Sequence, residues 1–118
     1  MRSYIVDAFT NQPFKGNPAG VCFPPADLES SLMLKIAQEF GLSETAFVRK
    51  TKSTDTYTIR YFSPKQEIPL CGHATLGSAK VIFSETDIDE IIFITVENIE
   101  LRIRRKGDEI VWSFPFTM

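Results

Sequence analysis

From His73 to about Ser84 the chain reads His-Ala-Thr-Leu-Gly-Ser-Ala-Lys-Val-Ile-Phe-Ser, with small or apolar residues on nearly every side. A helix of this pattern has no polar face to offer water, so it is buried and the rest of the chain must surround it. The helix follows Leu70-Cys71-Gly72-His73-Ala74-Thr75, which holds the only histidine and one of the two cysteines. Its first turn presents backbone N–H groups with no intrahelical acceptor, at the positive end of the helix dipole. Such a turn is suited to hold an anion.

The material for a surrounding shell is strand-like. Ser3 to Phe9 reads as a first strand, ended by the turn formers Asn11 and Pro13, and Val21-Cys22-Phe23 as a short second one. Pro24-Pro25 stops it. Asp27 is then the expected N-cap of a helix carrying Leu28, Leu32, Ile36 and Phe40 on one stripe, with Gly41 in the C′ position. That stripe is core packing. Leu42 to Val48 and Tyr57 to Phe62 form a hairpin across the polar segment Lys50 to Thr56, and Tyr57, Ile59 and Tyr61 alternate with Thr58 and Arg60. A two-proline loop, Ser63 to Pro69, delivers the chain to Cys71. After the buried helix, the acidic stretch Glu85 to Glu90 marks a solvated exit. Ile91 to Val96, Ile99 to Arg105 and Glu109 to Phe116 make three strands joined at Glu97-Asn98 and Lys106-Gly107-Asp108.

Strands cluster in this order without regular helical crossovers, which excludes a doubly wound sheet. The expected fold is α+β: a bent, mixed β-sheet or partial barrel around the central helix, with the amphipathic helix outside. With 118 residues, one domain spanning 1–118 is expected. The formal net charge of −2 gives no reason to expect a nucleic-acid partner. Although Arg102, Arg104, Arg105 and Lys106 are basic, Leu101 and Ile103 alternate with Arg102 and Arg104, as in a strand with one wet face. No apolar run approaches the ~20 residues that span a bilayer, so no membrane association is expected. Cys22 and Cys71 form no Cys-x-x-Cys pair, which favours free thiols in a reducing, cytoplasmic setting.

Chemistry concentrates at few residues. Glu44 shares a strand face with Ala46 and Val48, and burial of that face makes it a candidate proton carrier; a solvated or capping glutamate is the plainer alternative. Gly16-Asn17-Pro18 makes a backbone-exposing turn that is either structural or a substrate contact through Asn17, and no phosphate-binding glycine motif is present. At the helix start, Cys71 is a candidate thiolate of lowered pKa, a Cys/His pair with His73, or part of a packed turn. One histidine and two separated cysteines leave a metal ligand set incomplete, and no metal is expected.

The segments Val6-Asp7-Ala8-Phe9, Phe14-Lys15-Gly16-Asn17-Pro18-Ala19-Gly20-Val21, Leu42-Ser43-Glu44-Thr45-Ala46-Phe47, Arg60-Tyr61-Phe62-Ser63-Pro64 and Leu70-Cys71-Gly72-His73-Ala74-Thr75 occur in this order and spacing. Together they resemble the N-terminal half of the phenazine biosynthesis-like (PhzF) family, within the diaminopimelate epimerase-like superfamily. The resemblance runs from about Ser3 to Phe116 and implies a barrel-like sheet around a central helix. It further implies a cofactor-free isomerase that moves a proton between carbons of a small carboxylate, as in dihydro-hydroxyanthranilate isomerisation. The family's acid/base glutamate falls on Glu44 and its active-site histidine on His73. Asn17, Gly72, Ala74 and Thr75 then bind substrate, the helix N-terminus taking its carboxylate. Cys71 matches the catalytic cysteine of related epimerases and ranks below Glu44 and His73.

Family members are two similar halves with the active site between them, and the second half has no counterpart in this sequence. The chain is then expected to be a fragment or a separately encoded half of an isomerase that meets a complementary second half, or a half that pairs with a second copy in a homodimer. The alternative is a catalytically incomplete half that binds small carboxylates or serves in dimerisation.

Overall fold

A computed structural model describes residues 1–7, 18–107 and 109–113. Asn17, the ends expected for the first and last strands and half of the Phe14–Val21 segment lie outside these residues. The elements run β1 (Arg2–Val6), β2 (Ala19–Phe23), α1 (Ser30–Phe40), β3 (Thr45–Lys50), β4 (Thr56–Phe62), β5 (Glu67–Ile68), α2 (Gly72–Glu85), β6 (Glu90–Ile94), β7 (Glu100–Lys106) and β8 (Glu109–Ser113).

All eight strands join one curled sheet in the order β1-β2-β3-β4-β6-β7-β8, with β5 also on β4. Two neighbouring pairs, β2–β3 and β4–β6, are parallel and the rest antiparallel, so the sheet is mixed. A parallel pair needs a crossover. Here α1 makes the first on the outer face, and α2 makes the second through the inside. The α+β half-barrel around a central helix is the architecture anticipated from the sequence.

Strand alternation explains how one sheet serves two helices. Val21, Ala46, Val48, Tyr57, Ile59, Tyr61, Ile91, Phe93, Leu101 and Ile103 share a buried cluster with Ala74, Ala79, Ile82 and Phe83 of α2. Cys22, Phe47 and Phe62, at the intervening positions, form a second cluster with Met33 and Ala37 of α1. With both faces covered, β2 and the start of β3 read as continuous apolar runs rather than alternations. The first half of α2 is thin: Ala74, Thr75, Gly77, Ser78 and Ala79 are all buried. A Cβ on Gly77 would sit 3.5 Å from that of Val6, so the sheet closes tightly there.

The structure corrects three local expectations. Helix α1 starts at Ser30 with Glu29 as N-cap and no side-chain cap bond, while Asp27 instead faces Arg49 at 3.9 Å. Its core-facing stripe is centred on Met33 and Ala37, and Leu32 is exposed. Residues one apart lie ~100° apart on a helix of 3.6 residues per turn, so a stripe centred one position later turns Leu32 outward. Gly41 closes the helix as expected, at φ 66°. The two-proline loop contains β5, held to β4 by the backbone and by Glu67, whose two carboxylate oxygens each accept a 2.8 Å bond from Arg60.

Arg105 also departs from the solvated-strand reading. Arg102 and Arg104 are exposed beside Glu90, but Arg105 turns back under α2. Its guanidinium donates to the carbonyls of Phe83 (2.6 Å), Ile88 (2.7 Å) and Thr86 (3.3 Å) and lies over the Phe83 ring. A cation there complements the negative end of the helix and satisfies carbonyls left over at its exit. Arg105→Ala is expected to lower stability by about 1.5–3 kcal/mol, the range for bonds from a charged donor. Urea denaturation measures this, and Arg104→Ala, on the wet face, serves as the near-neutral comparison.

Candidate active site

The site is built where β3 begins and α2 begins. Gly20 donates its N–H to the Glu44 carbonyl (3.0 Å), fixing the residue just ahead of β3. A side chain at Gly20 would collide with the Phe40 ring, its Cβ falling 2.4 Å from a ring carbon, so glycine is required for that approach. Glu44 has the same parity as Ala46 and Val48, and its carboxylate points inward toward the head of α2.

There Glu44 Oε2 lies 3.1 Å from His73 Nε2, with side-chain exposures of 21% and 13%. The ring N–H is not aligned on that oxygen, so the contact is electrostatic rather than a well-formed hydrogen bond. Catalytic contacts in ligand-free proteins often have this looser geometry and tighten around substrate. On its other side, His73 Nδ1 lies 3.8 Å from Cys71 Sγ. The carboxylate and the thiol thus approach different ring nitrogens and also lie close to each other. A neutral imidazole can donate from one nitrogen and accept at the other.

Cys71 is the N-cap of α2 and is 8% exposed. Burial pushes its thiol up from the ordinary value, and the nearby Glu44 charge acts in the same direction. The amides of Ala74 and His73 pull it down but do not prevail. Of the readings open for Cys71, this disfavours the thiolate and favours the packed turn: desolvation outweighs the dipole. In a Cys22→Ser background, alkylation of Cys71 by iodoacetamide is expected to be slower than that of a free thiol at neutral pH. It should keep rising with pH beyond the usual thiol range, and a plateau at or below neutrality would indicate a preformed thiolate.

The remaining candidates divide. Gly72, His73 and Ala74 form the first turn, whose amides precede any intrahelical acceptor; Ala74 is fully buried, so any role falls to its backbone. Thr75 is buried and bonded within the protein. Its N–H returns to the Cys71 carbonyl (3.1 Å), and its hydroxyl donates to that same oxygen (2.9 Å). The Tyr61 hydroxyl meets Thr75 Oγ1 at 2.5 Å, and since the threonine proton is already directed at Cys71, Tyr61 is the donor. Tyr61 and Thr75 are both fully buried. Together they pin the carbonyl of the N-cap and, through it, the turn that carries His73. Tyr61 was legible only as an inward-facing member of its strand. Tyr61→Phe is expected to cost about 1 kcal/mol, the net worth of one hydrogen bond, measurable as a shift in the urea midpoint at unchanged slope.

A third donor thus joins the thiol and the imidazole. Glu44, Cys71 and His73 each offer a ligand atom, and the three atoms lie within 4.8 Å of one another. A count of histidine and cysteine alone leaves out this carboxylate, which comes from a distant strand.

The chain is thus a curled, mixed α+β half-barrel around a buried helix, with a glutamate and a histidine facing each other at the helix head. The model of the PhzC-PhzF family, phenazine biosynthesis-like proteins, matches residues 6–110, and the chain belongs to this family. Phenazine biosynthesis-like domain-containing protein 1 of Mus musculus is 46% identical over 120 residues, covering 95% of this chain and 41% of the relative. An uncharacterized isomerase of Halalkalibacterium halodurans is 44% identical over 115 residues, covering 95% and 42%. The crystal structure of a PhzF-family phenazine biosynthesis protein from Enterococcus faecalis superposes with a TM-score of 0.83 at 40% identity, covering 92% of this chain and 41% of that one. The chain thus spans about two fifths of the relatives it matches. No helix among the described residues is long and apolar enough to cross a membrane.

Proposed function

We propose that this chain supplies one wall of a cofactor-independent isomerase site that transfers a proton between carbons of a small carboxylate, in the manner of a dihydro-hydroxyanthranilate isomerase. The observation that carries this is the convergence of Glu44 and His73, 3.1 Å apart, at the N-terminus of a buried helix. Family membership and the isomerase naming of a relative at 44% identity support the reaction class.

In this reading the Glu44 carboxylate removes a proton from one carbon and, as the acid, returns it to another, so no net charge is gained or lost. His73 hydrogen-bonds the substrate as charge develops on it, and the first amides of α2, from Gly72 onward, take the substrate carboxylate with help from Asn17. Cys71, protonated and buried, packs the turn. The opposing wall comes from a complementary second half or from a second copy in a homodimer, within the cytoplasm.

Calorimetric titration with aromatic and cyclohexadiene carboxylates tests the binding part. Saturable heat that is lost on His73→Ala is expected. Its absence at millimolar ligand, with the protein folded, would count against the assignment.

A further inference from the structure

The three donor atoms at the head of α2 differ in kind: a carboxylate oxygen, an imidazole nitrogen and a thiol sulfur, all within 4.8 Å. We propose that they form a binding site for one zinc-class, thiophilic divalent cation, with Glu44, Cys71 and His73 as ligands and the fourth position left to solvent.

Zinc takes nitrogen, sulfur and oxygen ligands at about 2.0–2.3 Å in a tetrahedron, which sets ligand-to-ligand separations of about 3.3–3.7 Å. The 3.1 Å from Glu44 Oε2 to His73 Nε2 lies close to that range, and the three donor atoms, one from each residue, are all within 4.8 Å of one another. The imidazole gives one nitrogen, and the Glu44 and Cys71 side chains turn toward it to complete the set.

The frame beneath them is rigid. Cys71 and His73 sit two residues apart on a turn pinned by Tyr61 and Thr75, and Glu44 is fixed through Gly20. All three side chains are mostly shielded from water, with Cys71 8% exposed. The donor set also discriminates. Magnesium and calcium require six or more oxygens, and only one carboxylate is offered here. A buried, protonated thiol is no obstacle, because coordination by a divalent cation deprotonates it outright. The balance is simple: the sulfur–metal bond forms, the thiol proton leaves to solvent, the ring nitrogen gives its lone pair, and nothing is oxidised or reduced.

The metal site stands on its own geometry. A consequence that rests on the proposed function is inhibition, because the metal would occupy the carboxylate and the imidazole that handle the proton.

The test is titration of the full 118-residue chain with zinc by calorimetry, and with cadmium by ultraviolet thiolate-to-metal absorption. One ion per chain is expected, with a thiolate band that Cys71→Ser abolishes and Cys22→Ser leaves intact. Each of Cys71→Ser and His73→Gln should weaken zinc by at least about tenfold, since even indirect partners of metal ligands cost 10–100-fold. Magnesium at the same concentrations should give no heat. A band that survives in Cys71→Ser, or no saturable zinc binding by the folded wild-type chain, would overturn the site. The two readings fail separately: zinc binding without any proton exchange at carbon by the paired chain would leave the metal site standing and reject the isomerase, and the converse would reject the metal site alone.

Discussion

Glu44→Gln should slow proton exchange at carbon by about 10²–10⁴-fold, the usual share of a positioned acid/base group. The substitution keeps the side chain's shape and its place between Gly20 and His73, but an amide cannot carry the proton. Binding of the carboxylate ligand, assigned to the head of α2, should change by no more than about threefold, because the lost interaction acts only in the transition state. Exchange rates by proton NMR and affinity by calorimetry separate the two effects. Unchanged turnover would remove Glu44 from its role, and a parallel loss of binding would make it an anchor rather than a proton carrier.

Phe93→Ala should produce the largest loss of stability, about 3–5 kcal/mol, because it opens a cavity in a packed interior. Phe93 is fully buried, lies on the inner face of β6, and meets Tyr57 across the parallel β4–β6 pair at a ring-centroid distance of 6.1 Å. That pair is the seam closed by the passage of α2 through the sheet, so its loosening frees the helix that carries the site. Against a typical total stability of about 5–15 kcal/mol, this loss leaves little margin at 37 °C. Guanidinium denaturation followed by circular dichroism measures it. A loss below about 1 kcal/mol would mean that the surroundings collapse into the space left by the ring.

Much of the frame follows from patterns short enough to see in the sequence. An all-round apolar helix forced a surrounding shell, and alternation in Tyr57, Ile59 and Tyr61 fixed which side of β4 faces it. Parity puts Glu44 on one face with Ala46 and Val48, and the curl of the sheet turns that face inward. What periodicity does not carry is proximity between distant segments. Nothing local says that Glu44 meets His73, or that Tyr61 reaches Thr75, since both contacts depend on how the sheet curls.

The errors have physical causes as well. Of the readings open for Cys71, the thiolate rests on the helix dipole alone, and the burial that opposes it favours the packed turn. Thr75 enters as a substrate contact only through the resemblance; its hydroxyl bonds the carbonyl four residues back, as a threonine within a helix can. Arg105 matched a wet strand face, yet the helix exit it caps belongs to another segment. In α1 the apolar residues are dense enough that two adjacent stripes fit, and tertiary contact with Phe47 and Phe62 selects the one through Met33 and Ala37.

The account turns on whether this wall moves protons at carbon. The most direct measurement is deuterium wash-in from D2O into a dihydro-hydroxyanthranilate, followed by proton NMR, with the chain's association state fixed by sedimentation in the same buffer. The account predicts incorporation at the carbons that exchange the proton, catalysed by the paired chain and absent with Glu44→Gln. Wash-in by the wild type that persists undiminished in Glu44→Gln, or none from a paired and folded wild type that binds the substrate, would contradict it.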